Sequence, residues 1–307
     1  MQMKKINDKV IIGIDHGYGN IKTANCCFEA GLLKFENDPP ITRNMLIYEG
    51  KKYLIGEGHK EFIPEKGIDE DYYILTLAAI ARELSEYGMT EADVIIAAGL
   101  PLTWFGTQKE EFTKYLMKNR KVDFVFRSTE YHITISDVRV YPQGYAAVVQ
   151  NIGYLKGLTM VADIGNGTMN IFCTQSGKLK AEHMFTEKYG TFQCTLAVRE
   201  KFLQKTGREI NDSIIDDVLQ KGTADIDETD LKIIREASEE YVRNIFRKLR
   251  EHGYDEKTMN LCITGGGGCL IKNFCDIEGK RIKFVEDIKA AAKGYEYMAL
   301  LQLSNGR

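Results

Sequence analysis

Two stretches of the chain share one pattern of apolar and polar positions. Ile11-Ile12-Gly13-Ile14 runs into Asp15-His16-Gly17-Tyr18-Gly19-Asn20-Ile21, and Met160-Val161-Ala162 into Asp163-Ile164-Gly165-Asn166-Gly167-Thr168-Met169-Asn170-Ile171. Each reads as an apolar strand, Asp-x-Gly-x-Gly and a second strand, which predicts a tight β-hairpin. Asp-x-Gly alone is ordinary turn chemistry. A repeat of the whole pattern, once near the start of each half, predicts two related halves. Glycine serves where φ is positive or where backbone amides approach a ligand. An aspartate ending an apolar strand is costly to bury unless it meets a cation or ordered water. Two such hairpins facing a shared cleft would hold a polyphosphate between their amides, with Mg²⁺ between the aspartates.

Around these hairpins strands and helices alternate. In the first half, Met45–Tyr48 and Lys52–Ile55 read as short strands and residues 56–67 as loop. Ile74, Leu77, Ala78, Ala81 and Leu84 fall at helical spacing, so Tyr72–Tyr87 is predicted as a helix ended by Gly88. Asp93–Gly99 is apolar without alternation, as in a strand buried on both faces. Thr107-Gln108-Lys109-Glu110 matches a capping box and predicts a helix from there through Met117. Val122–Phe126 and Tyr131–Val140 are strands, and Tyr145–Tyr154 reads as a helix. In the second half, strand residues continue to about Phe185. Thr191–Lys205, Glu209–Gln220 and Glu228–His252 are helical, the last with a charged face read as solvated. Asn260–Thr264 is a strand, Cys269–Phe274 begins a helix, and Glu286–Leu303 is a C-terminal helix. The expected fold class is α/β, two domains with mixed sheets.

Composition narrows the reading. The chain has 307 residues, enough for two lobes, with 44% hydrophobic and 28% charged residues, as in a soluble globular protein. A net charge of −3 argues against a broad nucleic-acid-binding surface. No apolar run reaches membrane-spanning length, and the polar start Met1–Lys9 lacks the apolar stretch of a signal peptide. Cys26, Cys27, Cys173, Cys194, Cys262, Cys269 and Cys275 form no C-x-x-C pair, which speaks against a disulfide framework or a zinc site. The expectation is a cytoplasmic protein with reduced thiols and no membrane attachment.

A third chemical element is the turn Gly265-Gly266-Gly267-Gly268, between strand and helix. Glycines there let a flat ring or sugar lie against bare backbone, and the following helix start suits a phosphate oxygen. No glycine cluster matches G-x-x-x-x-G-K-[ST], which excludes a P-loop, and none matches the dinucleotide-binding G-x-G-x-x-G.

Taken together, these motifs resemble the actin-like ATPases. Asp15-His16-Gly17-Tyr18-Gly19-Asn20-Ile21-Lys22 is similar to their first phosphate loop, Val161–Asn170 to the second, and Ile263–Gly268 to their adenosine loop. Tyr141-Pro142-Gln143-Gly144-Tyr145-Ala146-Ala147 resembles their first connecting helix. Within the superfamily, Gly17–Lys22, Gly99-Leu100-Pro101-Leu102-Thr103 and Asp137–Gln143 are most similar to the bacterial plasmid-segregation actins of the ParM type. The resemblance implies a two-lobed actin-like (ribonuclease H-like) fold with a nucleotide cleft between duplicated domains. Domain I would span 1–155, with a small subdomain at roughly 30–90. Domain II would span 156–307, with the helix 286–303 packing back on domain I.

The site residues follow from the same resemblance. Asp15 and Asp163 would hold Mg²⁺ through water. Gly17, Tyr18, Gly19 and Asn20 would offer amides to the phosphates of ATP or GTP from one side, and Gly165, Asn166, Gly167 and Thr168 from the other. Lys22 would either add a point charge or stand in solvent. Gln143 would orient the attacking water, with Asp15 and Asp163 completing the catalytic set. ParM-type proteins usually carry glutamate at that position, and a glutamine cannot accept a proton at neutral pH. Gly265, Gly266, Gly267 and Gly268 would meet the nucleoside.

The implied function is a filament-forming ATPase that drives plasmid DNA segregation. It would self-associate and act through a DNA-bound, ParR-like adaptor without binding nucleic acid itself. The alternative is a sugar or small-acid kinase of the same fold, for which no acidic base stands out beyond the nucleotide motifs. A heat-shock-type chaperone would need a peptide-binding domain for which 307 residues leave no room.

Overall fold

A computed structural model describes residues 2–37, 43–58, 70–277 and 281–305. Residues 59–67 of the predicted loop, and parts of the expected small subdomain, lie outside them. The chain forms two units, Met1–Gln150 with Lys289–Arg307, and Asn151–Ile288.

Unit 1 is built on β2 (Lys9–His16), buried from Val10 onward. β1 (Lys4–Ile6) pairs with it antiparallel, β8 (Glu91–Leu100) parallel, and β10 (Thr129–Pro142) runs parallel to β8. Beyond β10 the sheet continues through β9 (Lys121–Phe126), β6 (Met45–Tyr48), β7 (Lys51–Ile55) and β5 (Leu32–Phe35). On the other side β3 (Asn20–Lys22) and β4 (Cys27–Glu29) extend it from β2. Both faces of the central strands are covered. Ile12, Ile14, Ile96 and Ala98 belong to one core with α1 (Glu70–Ser85), whereas Ile11, Ile95 and Ala97 pack with Tyr295 and Ala299 of α8 (Ala290–Asn305). Burial on both faces explains the unbroken apolar runs, since successive side chains point to opposite sides.

Two helix boundaries in unit 1 differ from expectation. α2 spans Leu102–Leu116 and starts after Pro101, before the predicted capping box. Thr107 is already inside the helix, where its hydroxyl donates to the Trp104 carbonyl. The Thr-x-x-Glu spacing here is therefore an internal turn. After Gln143, only α3 (Tyr145–Val148) is α-helical, and Val149–Tyr154 tightens into a 3₁₀ turn. Asn151 and Gly153 are poor helix formers in that stretch.

Unit 2 carries a five-stranded sheet ordered β13 (Lys178–Glu187), β12 (Met169–Gln175), β11 (Leu158–Ile164), β14 (Asn260–Thr264) and β15 (Ile282–Phe284). α4 (Thr191–Thr206), α5 (Asp212–Lys221), α6 (Glu228–Glu251) and α7 (Gly268–Phe274) bury their apolar faces in one core with it. α5 begins three residues after the predicted Glu209, because Asn211 caps it by accepting from the Ser213 amide at 2.9 Å. β15 takes residues expected to precede the C-terminal helix, and α8 starts at Ala290 instead of Glu286.

α8 lies unusually close to its neighbours in unit 1. A Cβ on Gly294 would stand 1.8 Å from the Ala146 carbonyl oxygen, one on Gly13 2.0 Å from that of Ala292, and one on Gly99 2.0 Å from the Tyr295 hydroxyl. Opposite Gly13, the buried Glu296 accepts the Gly13 amide at 3.2 Å and faces Lys4 at 3.6 Å. β1 pairs with β2 only as far as Ile11, so this carboxyl takes the amide that the short strand leaves beyond its end. Burial pushes the Glu296 carboxyl up to about 7, against the opposing pull of the Gly13 amide and Lys4.

Two predictions follow from this packing. Gly294→Ala should destabilise by about 2–3 kcal/mol through overpacking, whereas Gly106→Ala should stabilise by roughly 0.5–1 kcal/mol. Gly106 is an open interior position of α2 with no atom near the added methyl. Urea unfolding measures both, and equal effects would mean the approach of α8 is not tight. For Glu296, the folded chain keeps its proton at pH values where the unfolded chain has released it. Stability therefore declines as pH rises from the ordinary carboxylate range to about 7. Glu296→Gln keeps an acceptor for Gly13 and removes the titration. Unfolding at about pH 5 and pH 8 should show the variant gaining on wild type by up to about 3 kcal/mol.

Candidate functional site

In unit 1 the first hairpin places Asp15 opposite Lys22 and His16 opposite Ile21. Alternation then sends Asp15 and His16 to opposite faces. His16 is fully buried between α1 and α2. Its Nε2 lies 2.8 Å from the Thr76 hydroxyl, whose own proton goes to the Tyr72 carbonyl at 2.6 Å. Nε2 is therefore the donor. The ring meets Tyr72 and Phe112 edge-on, with centroids 6.0 and 5.5 Å away. This anchor holds the root of the hairpin from behind.

On the other face Asp15 is buried and has two partners. Lys22 Nζ lies 3.5 Å from Oδ2, and Gln143 Nε2 donates to Oδ1 at 3.4 Å. Gln143 is held in turn by its backbone amide, which donates to the Leu100 carbonyl at 2.7 Å. β2, β3 and the end of β10 thus bring Asp15, Lys22 and Gln143 together, and Lys22 does not stand in solvent. Gly17 is required by space, because a Cβ there would stand 2.5 Å from the Asn20 carbonyl oxygen. Tyr18 packs inward, and burial raises its phenol above the ordinary value. Just beyond β3, the buried Glu83 of α1 accepts from the Thr23 hydroxyl and from the backbone and side-chain amides of Asn25. It ties the strand exit to α1.

Unit 2 repeats the hairpin. Asp163 pairs with Asn170 and Ile164 with Met169, the same offsets as Asp15 with Lys22 and His16 with Ile21. The Gly165 amide donates to the Thr168 carbonyl at 2.8 Å and closes the turn. The turn is seated on the start of α4, where the Thr191 and Phe192 amides donate to the Gly165 and Asn166 carbonyls, each at 3.0 Å. A Cβ on Gly190 would stand 2.0 Å from the Asn166 carbonyl oxygen, so the helix start can come this close only with glycine there.

The four-glycine turn abuts the same hairpin. β14 runs parallel to β11, with Thr264 beside Asp163. Gly265 has φ +84°, a region that favours glycine, and a Cβ there would stand 2.7 Å from Asp163 Oδ1. Gly267 donates its amide to the Ile164 carbonyl at 2.8 Å. Asp163, the loop 165–168 and the turn 265–268 therefore form one surface in unit 2. Three supporting residues escaped the sequence reading: His16, Glu83 and Glu296. The available signal was a titratable side chain inside an apolar strand or helix stretch.

Comparison with known proteins places this geometry. The model for the N-terminal domain of actin-like proteins matches residues 13–145, and that for the C-terminal domain of the archaeal actin homologue MreB-like matches 161–276. No curated protein matches the chain. Among solved structures it is similar to the subunit of a 15-stranded ParM filament from Clostridium botulinum, with a TM-score of 0.75 and 20% identity over 96% of this chain and 99% of that one. Ta0583, an archaeal actin homologue, gives 0.74 and 20% over 94% and 98%. Bacillus thuringiensis ParM with ATP gives 0.68 and 12% over 97% and 100%. With an actin-like model matched in each half and the actin-like fold along the whole chain, this protein belongs to the actin-like superfamily.

Proposed function

We propose that this protein is a nucleotide-dependent, filament-forming ATPase that moves plasmid DNA through a separate DNA-bound adaptor. The observation that carries the reading is the duplication, one aspartate hairpin of identical register in each actin-like half. The solved structures similar in fold include an Alp12 filament and a ParM filament, which supports self-association. Others include Ta0583 in complex with ADP and a ParM with ATP, which supports a nucleotide ligand. Among the described residues no helix is long and apolar enough to cross a membrane.

The residues fit Mg-nucleotide chemistry. Asp15 already meets a cation and an amide donor, so its buried oxygens are directed at polar partners and not at hydrocarbon. Gly17 and Gly265 stand where a Cβ would strike neighbouring oxygens, as backbone built for close approach requires. In the proposal Asp15 and Asp163 hold hydrated Mg²⁺, which when bound neutralises phosphate charge. The amides of residues 17–20 and 165–168 bind phosphate oxygens, and Lys22 adds a positive charge. Gln143 positions water, and because its amide takes no proton, solvent and the aspartates handle the proton. Gly265–Gly268 receive base and sugar.

Head-to-tail contact between subunits is heterologous and builds an open polymer. Mg-ATP should therefore produce light-scattering polymer above a critical concentration, with decay once ATP is consumed. Baseline scattering with both ATP and GTP across micromolar protein would sink the filament reading, and sugar-dependent turnover would then favour a kinase. Asp163→Ala should slow phosphate release by about 10²-fold or more, and wild-type release would remove Asp163 from the site. Gln143→Ala should slow single-turnover hydrolysis while leaving nucleotide affinity nearly unchanged. An affinity loss exceeding the rate loss would make Gln143 a binding or structural residue.

A further inference from the structure

Unit 1 gathers two arginines around an amide, with no acid between them among the described residues. Arg82, near the end of α1, lies over the Phe28 ring at 4.5 Å and the Phe126 ring at 5.4 Å. Arg127, in the turn between β9 and β10, lies over Phe126 at 5.3 Å. Both guanidinium groups aim at Asn44. Arg127 donates from Nε and Nη2 to Asn44 Oδ1 at 3.0 and 2.7 Å, and Arg82 donates from Nη2 to the same atom at 3.3 Å. Neither arginine forms an ion pair with a described residue.

The arrangement is under-supplied with acceptors. Three N–H groups converge on one neutral oxygen, which has two lone pairs. A fourth donor, Arg82 Nε, is buried with no hydrogen-bond partner. Nε and Nη2 form one edge of the guanidinium, so the unfilled donor belongs to the edge that already reaches for Asn44. Burial and the neighbouring Arg127 also work against the charge on Arg82 and lower its pKa to about 10. A carboxylate or phosphate group would supply the missing lone pairs and the missing negative charge, in the planar geometry a guanidinium fork matches. Asn44 Oδ1 occupies the place of one oxygen of such a group.

We propose that Arg82, Arg127 and Asn44 form an oxyanion-binding site, taking a phosphate or carboxylate group, which uses none of the hairpin residues. The anion comes either from solution, as a free phosphate-type ion, or from a carboxylate side chain of a second copy of the chain, which carries 44 Asp and Glu residues. The test is thermal unfolding of the nucleotide-free full chain against inorganic phosphate, for wild type, Arg127→Ala and Asn44→Asp, with folding of each variant checked by circular dichroism. Asn44→Asp supplies a carboxylate in place and so fills the site from within. If the anion comes from solution, wild type shows a saturable rise in Tm. Arg127→Ala then binds phosphate about 10-fold more weakly or worse, and Asn44→Asp no longer responds. If it comes from a second copy, wild type ignores phosphate, and both variants raise the critical concentration of Mg-ATP polymer about 10-fold. A phosphate response that survives in both variants lies elsewhere and overturns the proposal. So does an unresponsive wild type whose variants assemble normally. Should wild type not assemble at all, the filament reading fails on its own, and the phosphate arm alone decides this site.

Discussion

A carboxylate at the end of a doubly covered strand cannot be left alone, because burying it unpaired costs far more than one hydrogen bond returns. Asp15 is in that position, and much of unit 1 is arranged around it. β3 folds back so that Lys22 falls opposite Asp15 in the ladder. β10, running parallel to β8, ends where Gln143 reaches the other carboxylate oxygen. His16, the next residue, carries the fixing contacts on the reverse face, where Thr76, Tyr72 and Phe112 enclose it. The charged side of the hairpin is left to polar chemistry while the apolar side is locked into the core.

The same strand sets the position of α8. β2 contributes Gly13 where a side chain would collide with Ala292, and α8 contributes Gly294 where one would collide with Ala146. Backbones brought this close exclude water from the Gly13 amide, and a buried amide needs an acceptor. Glu296 supplies it at the expense of its own solvation, which is why its carboxyl holds its proton up to about 7. A segment near the end of the sequence thus completes the hydrogen bonding of the strand that carries the first hairpin.

What could be read from the sequence was whatever is encoded locally. The two hairpins were legible because Asp-x-Gly-x-Gly between apolar strands is a short-range pattern, and β8 because a strand buried on both faces is apolar throughout. β1 and β15, three residues each, have no period of their own and exist through pairing with β2 and β14. The start of α2 was misread because a Thr-x-x-Glu spacing is the same inside a helix as at its beginning. The partners of Asp15 and Gly13 were beyond local reading. Gln143 lies 128 positions from Asp15, and Glu296 lies 283 from Gly13. For Lys22 the strand register sets the side chain across from Asp15, a partner that no local pattern specifies.

The two hairpins share a register but not a charge balance. At the ladder position that faces the aspartate, unit 1 has a lysine and unit 2 has Asn170, a buried neutral amide whose oxygen accepts from the Thr186 hydroxyl. The first aspartate is compensated inside its own hairpin by a full positive charge, and the second is not compensated by its ladder neighbour. Asp163 is also the less buried of the two, and the Gly265 backbone lies close to its Oδ1. Duplication has therefore kept the backbone while separating the electrostatics.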